Sequence, residues 1–260
     1  MRKLIQWPRA QYWERPWNPW LGCVPISPAC ENCYARCATV DRFGQSFEPH
    51  KTHKVSPPNS GVVFCGNMTD LFGEWMSVME SMDCFSRLWH FPDDHSGPKP
   101  NDATYLFCTK RVYRMCYALR AYTQIPHAYF GFTAENEEWY EKRAEDQEEY
   151  GFPFQWAKWW VSCEPLLGPI DFHFDNGGYT PECGISLPSW IAVGCESGKD
   201  RRPCKIEWVE SIVEQCLNSN IPVFVKQLDL NGKCERDITK FPKHLQIRQV
   251  PWLAESEVAV

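Results

Sequence analysis

The chain has 260 residues and a formal net charge of −6, and 43% of its residues are hydrophobic. This length suits one substantial domain, so we expect a single domain over residues 1–260. The net negative charge gives no overall electrostatic attraction to nucleic acid. The sequence contains no run of about 18 consecutive apolar residues, which a membrane-spanning helix requires. The 14 cysteines occur in a charged, aromatic chain without a signal peptide pattern, which favours reduced thiols over a secreted disulfide scaffold. We therefore expect a soluble, cytoplasmic protein without a membrane partner.

Short apolar runs recur along the chain and predict strands. After a first strand near residues 17–21, they lie at 61–67, 103–109, 127–133, 157–163, 190–195 and 221–226. Apolar residues with helical spacing stand between several of these runs, around residues 75–85, 112–119 and 208–217. Alternating strands and helices predict an α/β fold with a parallel sheet, as a partial or complete parallel (β/α) barrel. A flat, doubly wound sheet is the alternative.

Three segments interrupt or follow this alternation. Residues 90–102 and 174–189 are rich in turn formers and predict loop insertions, which serve either as lids or as long connections. Residues after about 229 form a polar C-terminal extension.

Polar side chains follow the predicted strands, and in both architectures the carboxyl ends of parallel strands line the site. Glu135, Glu164 and Glu196 each follow a strand, and such carboxylates are costly unless they bind a cation or accept hydrogen bonds. Lys226 ends the last predicted strand and suits a substrate anion or an ion pair with one of the glutamates. Asp70 suits a ligand or, alternatively, the cap of a helix beginning near residues 71–73.

Cys23, Cys30 and Cys33 lie in a predicted loop between the first strand and a helix that begins near Tyr34. Three thiolates on one loop suit three corners of a [4Fe–4S] cluster. A structural zinc ion requires four ligands, and Cys37 is near enough in sequence to be the fourth. The spacing alone leaves a cluster, a zinc ion and unrelated buried thiols open. A second group, Cys183, Cys195, Cys204 and Cys234, matches no ligand spacing that we can name.

Seven ordered segments between Trp17 and Gln227 resemble the phage-associated three-cysteine-motif protein family. They are WNPWLGCVPISPACENCYA, NMTDLF, TKR, FTAEN, SCEPLLGPID, GCESG and VKQ. That family is similar to a divergent branch of the radical S-adenosylmethionine (radical-SAM) superfamily. The resemblance implies a barrel in which Cys23, Cys30 and Cys33 hold a [4Fe–4S] cluster whose open iron binds S-adenosylmethionine. The first cysteine gap is six residues, against three in the usual radical-SAM loop, and the aromatic Tyr34 follows the last cysteine instead of preceding it.

The same resemblance implies an enzyme that generates a 5′-deoxyadenosyl radical, with an electron donor such as flavodoxin or ferredoxin. In the superfamily a Gly-Gly-Glu-like segment follows the second strand, and Asn67, Thr69 and Asp70 stand there in this chain. The remaining candidate cofactor-binding residues lie at or just after the ends of later strands: Thr133, Glu135, Ser162, Glu164, Glu196, Ser197 and Lys226.

The phage association suggests an isomerase that acts on amino-acid-modified thymidine during phage DNA hypermodification, in the host cytoplasm. A base in duplex DNA must leave the stack to reach a barrel interior. Arg201, Arg202 and Lys205 suit phosphate contacts, although a salt-bridged surface loop explains them equally well. A free modified nucleotide or small amino acid derivative is a further candidate substrate. The competing class is a zinc- or cluster-stabilised module that binds nucleic acid or protein without catalysis.

Overall fold

The computed structural model of the protein describes residues 6–53, 56–90, 99–174 and 187–255. These residues form a mixed α/β structure. Its strands are β1 Arg15–Trp17, β2 Trp20–Leu21, β3 His50–Lys51, β4 Val62–Cys65, β5 Trp89–His90, β6 Lys99–Pro100, β7 Thr104–Thr109, β8 Ala128–Thr133, β9 Lys158–Cys163, β10 Trp190–Gly194, β11 Val223–Leu230 and β12 Lys233–Glu235. The α-helices are α1 Tyr34–Cys37, α2 Val78–Ser86, α3 Val112–Leu119, α4 Glu137–Glu149, α5 Ile206–Asn218 and α6 Pro251–Glu255.

The main sheet is mostly parallel and has the order β1-β4-β7-β8-β9-β10-β11-β12. Two antiparallel pairs, β2 with β3 and β5 with β6, lie outside it. The contacts between its residues divide the chain into two compact units. The first comprises Trp13–Phe132 and Glu145–Lys158; the second comprises Met1–Tyr12, Thr133–Ala144 and Trp159–Val260.

In the first unit, strands β1, β4, β7 and β8 are parallel neighbours. Trp17 pairs with Cys65, which in turn pairs with Phe107. Helices α2 and α3 belong to this unit, and Phe85 of α2 packs edge-on against Phe107 and Phe130 with ring centroids 5.2 and 5.5 Å apart. All six residues of β8 are buried, as is typical of a parallel strand covered on both faces.

In the second unit, β9, β10 and β11 are parallel and β12 returns antiparallel to β11. An aromatic cluster forms its core, with Trp190 placed 4.9 Å from both Trp160 and Tyr12 between ring centroids. These tryptophans are therefore core residues. Helix α5 buries Val209, Ile212, Val213 and Cys216.

The six predicted later strands are confirmed, as are helices at 112–119 and near 208–217. The predicted first strand is instead two short strands, because Asn18 and Pro19 interrupt the run and Pro19 has no N–H to donate. The alternative that Asp70 caps a helix beginning near residues 71–73 is wrong, since α2 begins at Val78. Ser77 and Glu80 form the capping box of that helix.

The predicted insertions fall largely on residues 91–98 and 175–186, outside the described residues. The segment after 229 begins within β11, which continues to Leu230 and turns into β12. Within the described ranges, no helix has both the length and the apolarity that a bilayer crossing requires. The single-domain organisation stays a prediction.

Candidate functional site

The three loop cysteines are placed in the first unit by two short helical turns. A 3₁₀ turn at Pro28–Cys30 presents Cys30, and Cys33 is the residue before α1, whose first turn begins at Tyr34 as predicted. The backbone N–H of Cys30 donates to Ser27 O at 2.9 Å. Cys23, Cys30 and Cys33 are partly buried and Cys37 is exposed, and none of the four is in a disulfide. The loop therefore offers three sheltered sulfurs and one exposed sulfur.

The spacing of these sulfurs distinguishes a single ion from a cluster. A tetrahedral zinc ion with Zn–S bonds of about 2.3 Å places its sulfur ligands about 3.8 Å apart. In the described part of the chain, no three of the sulfurs of Cys23, Cys30, Cys33 and Cys37 lie within 4.8 Å of one another. In an iron–sulfur cubane each thiolate binds a different iron, so its ligand sulfurs stand farther apart than those around one ion. Among the described residues, these sulfurs are therefore not gathered around one point as the ligands of a single zinc ion would be.

The charges around two of the cysteines differ. Burial is the largest influence on Cys30 and raises its pKa, but Lys110 and hydrogen bonds from Ile26 and Ser27 outweigh it, so the pKa is below the usual 9.0. Burial and then the Asp70 carboxylate raise the pKa of Cys23 to about 12, against the opposing charge of Arg111. Lys110 and Arg111, which directly follow β7, therefore place positive charge beside the loop, where cysteine thiolates would be negatively charged.

The segment after β4 is packed directly against the cysteine loop. Thr69 Oγ1 donates to Gly22 O at 2.6 Å, and the Tyr34 hydroxyl donates to Asn67 O. Asn18 Nδ2 donates to Asn67 Oδ1 at 2.7 Å. Gly22 has a φ of +84°, and a Cβ there would clash with the backbone of Glu48. Asn67 and Thr69 therefore hold the loop in place through their own contacts.

Asp70 is buried and its carboxylate is surrounded by donors. Thr109 Oγ1 donates at 2.7 Å and the Lys110 N–H at 3.2 Å, and Arg111 Nη1 lies 3.2 Å from Oδ2. Phe72 N–H donates at 3.0 Å. Arg111 also bonds Glu74 at 2.6 Å and the Val24 carbonyl at 3.0 Å. Asp70 thus orients Arg111 toward the cysteine loop, and its role as a cofactor ligand stays a prediction.

The three strand-end glutamates lie in the second unit, and each has a cationic partner there. Glu135 is fully buried and paired with the buried Arg143 of α4. Glu196 pairs with Arg202 at 2.5 Å and also accepts from the Arg202 N–H at 2.7 Å. Pairing with these arginines offsets the free-energy cost of burying the two carboxylates.

Glu164 has a more open environment than the other two glutamates. Its Oε2 accepts a hydrogen bond from the Tyr12 hydroxyl at 2.8 Å, and its Oε1 lies 3.1 Å from Lys226 Nζ. The Lys226 side chain is 27% exposed and its ammonium lies over the Tyr12 ring, 5.4 Å from the centroid. The ion-pair alternative for Lys226 is confirmed.

The remaining predicted residues have less to distinguish them. Thr133 and Ser162 are buried, and Ser197 is partly exposed. Ala134 N–H donates to Ser162 O at 2.9 Å, so the chain after β8 pairs with β9. Arg201 lies 3.7 Å from Asp229, and with the Arg202 pair this confirms the salt-bridged loop as their setting.

Sequence reasoning missed Tyr12 and Arg143, and it noted Arg111 and Gln227 only as part of the segments TKR and VKQ, without a role at a site. Arg143 lies in an acidic helix without an apolar stripe, so the sequence carried no signal for its burial. Gln227 Nε2 donates to Cys195 O at 2.6 Å, and Arg236 Nε donates to Gln227 Oε1 at 3.0 Å. The sulfurs of Cys195, Cys204 and Cys234 do not all lie within 4.8 Å of one another. Cys183 lies outside the described residues.

Comparison with known proteins identifies a family. The model of the family described as "Protein of unknown function (DUF5131)" matches residues 8–249, and the chain belongs to that family. No curated protein and no solved structure matches the chain.

Proposed function

We propose that this DUF5131 protein is a radical-SAM enzyme whose [4Fe–4S] cluster is held by Cys23, Cys30 and Cys33. One observation carries the proposal: three partly buried thiols share one loop, and the cationic Lys110 and Arg111 lie beside it. When bound, the cluster supplies the electron that cleaves S-adenosylmethionine to a 5′-deoxyadenosyl radical. Three protein ligands leave the fourth iron open for that cofactor.

The residues around the loop support this role by position and charge. Lys110 and Arg111 face the cysteines and offset the negative charge of thiolate ligands. Asp70 holds Arg111, and Thr69 fixes the backbone of the loop at Gly22. These residues position the ligands, whereas the cofactor carries out the difficult chemistry.

The strand order supports a barrel of the radical-SAM type. The parallel strands follow one another in chain order, whereas a doubly wound sheet reverses its order at a switch point. A sequential order is what successive right-handed β/α units produce in a barrel. We propose a partial or complete barrel, in which the carboxyl ends of the strands present the site.

The candidate cofactor residues fall into two groups by their contacts. Asp70, Glu135 and Glu196 are bound to arginines, and we assign them a positioning role. Glu164 and Lys226 are the pair best suited to bind a small polar group, because Lys226 is partly exposed and each carries a charge that a substrate can use. Asn67, Thr69, Thr133, Ser162 and Ser197 supply backbone or hydroxyl groups at strand ends.

For the substrate we propose an amino-acid-modified thymidine of phage DNA, with isomerisation as the outcome and a flavodoxin or ferredoxin as electron donor. This choice rests on the resemblance to phage-associated proteins. The pairing of Arg201 and Arg202 with acids leaves fewer free cations for duplex phosphate. A single modified nucleotide is therefore a substrate to test beside DNA.

Metal analysis of anaerobically purified protein tests the proposal. We expect a brown protein with about four irons per chain. Colourless protein that carries zinc, or that carries no metal after reconstitution with iron and sulfide, would contradict it and favour a non-catalytic binding module.

A further inference from the structure

The chain segment that follows β9 packs against the start of helix α4 in the second unit. The Glu137 N–H donates to Pro169 O at 3.1 Å. Further along the segment, Phe172 packs edge-on against Tyr140 of α4, with the ring centroids 4.8 Å apart. These contacts place the next residue, His173, beside the first turns of the helix.

Two glutamates of α4 and this histidine bring their side chains together. Glu137 and Glu141 are four residues apart, so their side chains lie on one face of the helix. His173 Nε2 lies 3.8 Å from Glu137 Oε1. One ligand atom from each of the three side chains lies within 4.8 Å of the other two. In the described ranges, no other three His, Cys, Asp or Glu residues meet this condition.

Asp171 holds the imidazole of His173 from its other side. Asp171 Oδ1 accepts a hydrogen bond from the His173 N–H at 2.8 Å and lies 3.5 Å from His173 Nδ1. A carboxylate beside Nδ1 favours the proton on that nitrogen and leaves the lone pair of Nε2 on the side of the glutamates. Metal-bound histidines commonly have such a carboxylate behind the ring.

The distance between His173 and Glu137 suits a shared ion better than a direct contact. At 3.8 Å it is longer than a hydrogen bond. Two ligands with bonds of about 2.0–2.2 Å to one ion, at angles of about 90–110°, lie about 3–3.6 Å apart. A small rotation of the glutamate side chain closes this difference. The His173 and Glu137 side chains are 47% and 44% exposed, so an ion reaches them from solvent.

The charge and the chemistry of the group both favour a cation. Three carboxylates, those of Glu137, Glu141 and Asp171, lie around one imidazole, which carries at most one positive charge. The resulting negative charge attracts cations. The imidazole nitrogen is a ligand that transition metals accept and that Mg²⁺ and Ca²⁺ rarely use, which distinguishes the group from an exposed acidic patch.

We propose that Glu137, Glu141 and His173 bind one divalent transition-metal ion of the Mn²⁺ type, with water as the remaining ligands and Asp171 as the residue that orients the imidazole. Mn²⁺ fits because it accepts carboxylate, water and imidazole ligands. The bound ion joins the start of α4 to the segment after β9. The site is separate from the loop cysteines and does not depend on the proposed function.

Titration of Mn²⁺ into the full-length protein tests the site. Free Mn²⁺ is followed by its electron paramagnetic resonance signal, and this ion is chosen because it prefers oxygen ligands to the thiols of the chain. We expect one Mn²⁺ per chain, retained when Mg²⁺ is added in excess. No bound Mn²⁺, or displacement of all bound Mn²⁺ by Mg²⁺, would overturn the proposal, because Mg²⁺ competes at sites made of carboxylates alone.

Substitutions test the ligand set. His173→Gln and Glu141→Gln are each expected to weaken Mn²⁺ binding at least about tenfold, and Asp171→Asn to weaken it about 10–100-fold. His244→Gln is the matched control, because His244 is an exposed histidine paired with one glutamate at 2.7 Å. Unchanged affinity in His173→Gln, or an equal loss in His244→Gln, would overturn the assignment.

Thermal unfolding gives a second measurement on the same proteins. Mn²⁺ is expected to raise the unfolding midpoint of the wild type, because the ligands meet only in the folded chain, and to leave that of His173→Gln unchanged. No shift in the wild type at saturating Mn²⁺ would also overturn the proposal. Neither measurement needs a cluster or S-adenosylmethionine, so failure here leaves the proposed function untouched.

Discussion

Cys23, Cys30 and Cys33 share one short loop but differ in what surrounds them. Their position before a helix that begins at Tyr34 is readable from sequence, because the spacing of cysteines is local information. The cations opposite them are not, since Lys110 and Arg111 come from the end of β7 and reach the loop only through the fold. Residue types were therefore predictable at this site, whereas the charges that act on the cysteines were not.

Replacement of each loop cysteine by alanine tests the ligand set. We expect Cys23→Ala, Cys30→Ala and Cys33→Ala each to lose most of the iron and the visible absorbance, because each removes one of three protein ligands. Cys37→Ala is the matched control, since its thiol lies on the next helical turn and is exposed. Iron loss in Cys37→Ala, or full iron in any of the other three, would contradict the assignment.

The buried pair of Arg143 and Glu135 makes a second residue-level prediction. Removal of one partner of such a pair strands a charge in the interior, which costs about 3–5 kcal/mol. Arg143→Met is therefore expected to lower the free energy of unfolding in urea by that amount. Arg87→Met removes an exposed helix pair with Asp83 and is expected to cost 1 kcal/mol at most, roughly. Equal losses in the two variants would refute the difference in burial.

At the scale of elements, a strand or helix could be predicted from the sequence when the residues that it buries are apolar. The strands were predictable because their buried residues are β-branched or aromatic and nearly continuous, as in the run from Trp190 to Gly194. Helix α4 was missed because its buried positions are Tyr140, Arg143 and Gln147, so two of the three are polar. The helical period is present at these positions, but it is not a period of hydrophobicity.

For helix α2, the predicted start and the predicted buried face were wrong. The apolar spacing of Trp75, Met79 and Phe85 suggested the buried face, yet Met79 is 71% exposed and the helix begins only after Ser77. The capping box of Ser77 and Glu80 sets that start, and the buried face is then Ser81, Cys84 and Phe85. Capping chemistry outweighed the hydrophobic pattern.

The turn at Gly22 gives the element-level prediction. Gly22→Ala is expected to reduce iron loading while the fold persists, because the new Cβ would clash with Glu48 backbone at a positive φ. Gly44→Ala is the matched control: it has a φ of +62° but no atom within 4 Å of the added Cβ. Iron is measured against far-ultraviolet circular dichroism. Equal loading in the two variants would show that the clash does not disturb the cysteine loop.

At the scale of the whole molecule, the cysteines act mainly as core residues. None of the 13 cysteines within the described ranges is in a disulfide, and seven of them are buried. Their large number therefore reflects packing, since a buried thiol behaves as a small hydrophobic side chain. Contacts between distant segments, such as that of Arg111 with the Val24 carbonyl in the cysteine loop, are not visible in the spacing of the cysteines.

Alkaline pH provides the prediction for the whole molecule. Burial raises the pKa of the Cys84 and Cys116 thiols from 9.0 to about 12, with smaller contributions from Asp83 and Asp146. The unfolded chain ionises these thiols above pH 9 while the folded chain keeps them neutral. Their contribution to stability is thus complete below pH 9 and is lost as pH rises toward 12.

In that window, each such thiol makes the free energy of unfolding fall by up to about 1.4 kcal/mol for every unit that the pH rises. Urea unfolding on both sides of pH 9 measures the slope. Cys116→Ala is expected to be less stable overall but to lose less stability per pH unit. The same slope in this variant as in the wild type would show that the Cys116 thiol does not couple folding to alkaline pH.

The measurement that tests the central claim most directly is the fate of S-adenosylmethionine on the reduced protein. Anaerobic wild-type protein with its cluster, reduced by dithionite, is incubated with the cofactor, and the products are separated by liquid chromatography and mass spectrometry. We predict 5′-deoxyadenosine from the wild type and from Cys37→Ala, and none from Cys30→Ala. Iron-loaded, reduced wild-type protein that leaves S-adenosylmethionine intact would contradict the account.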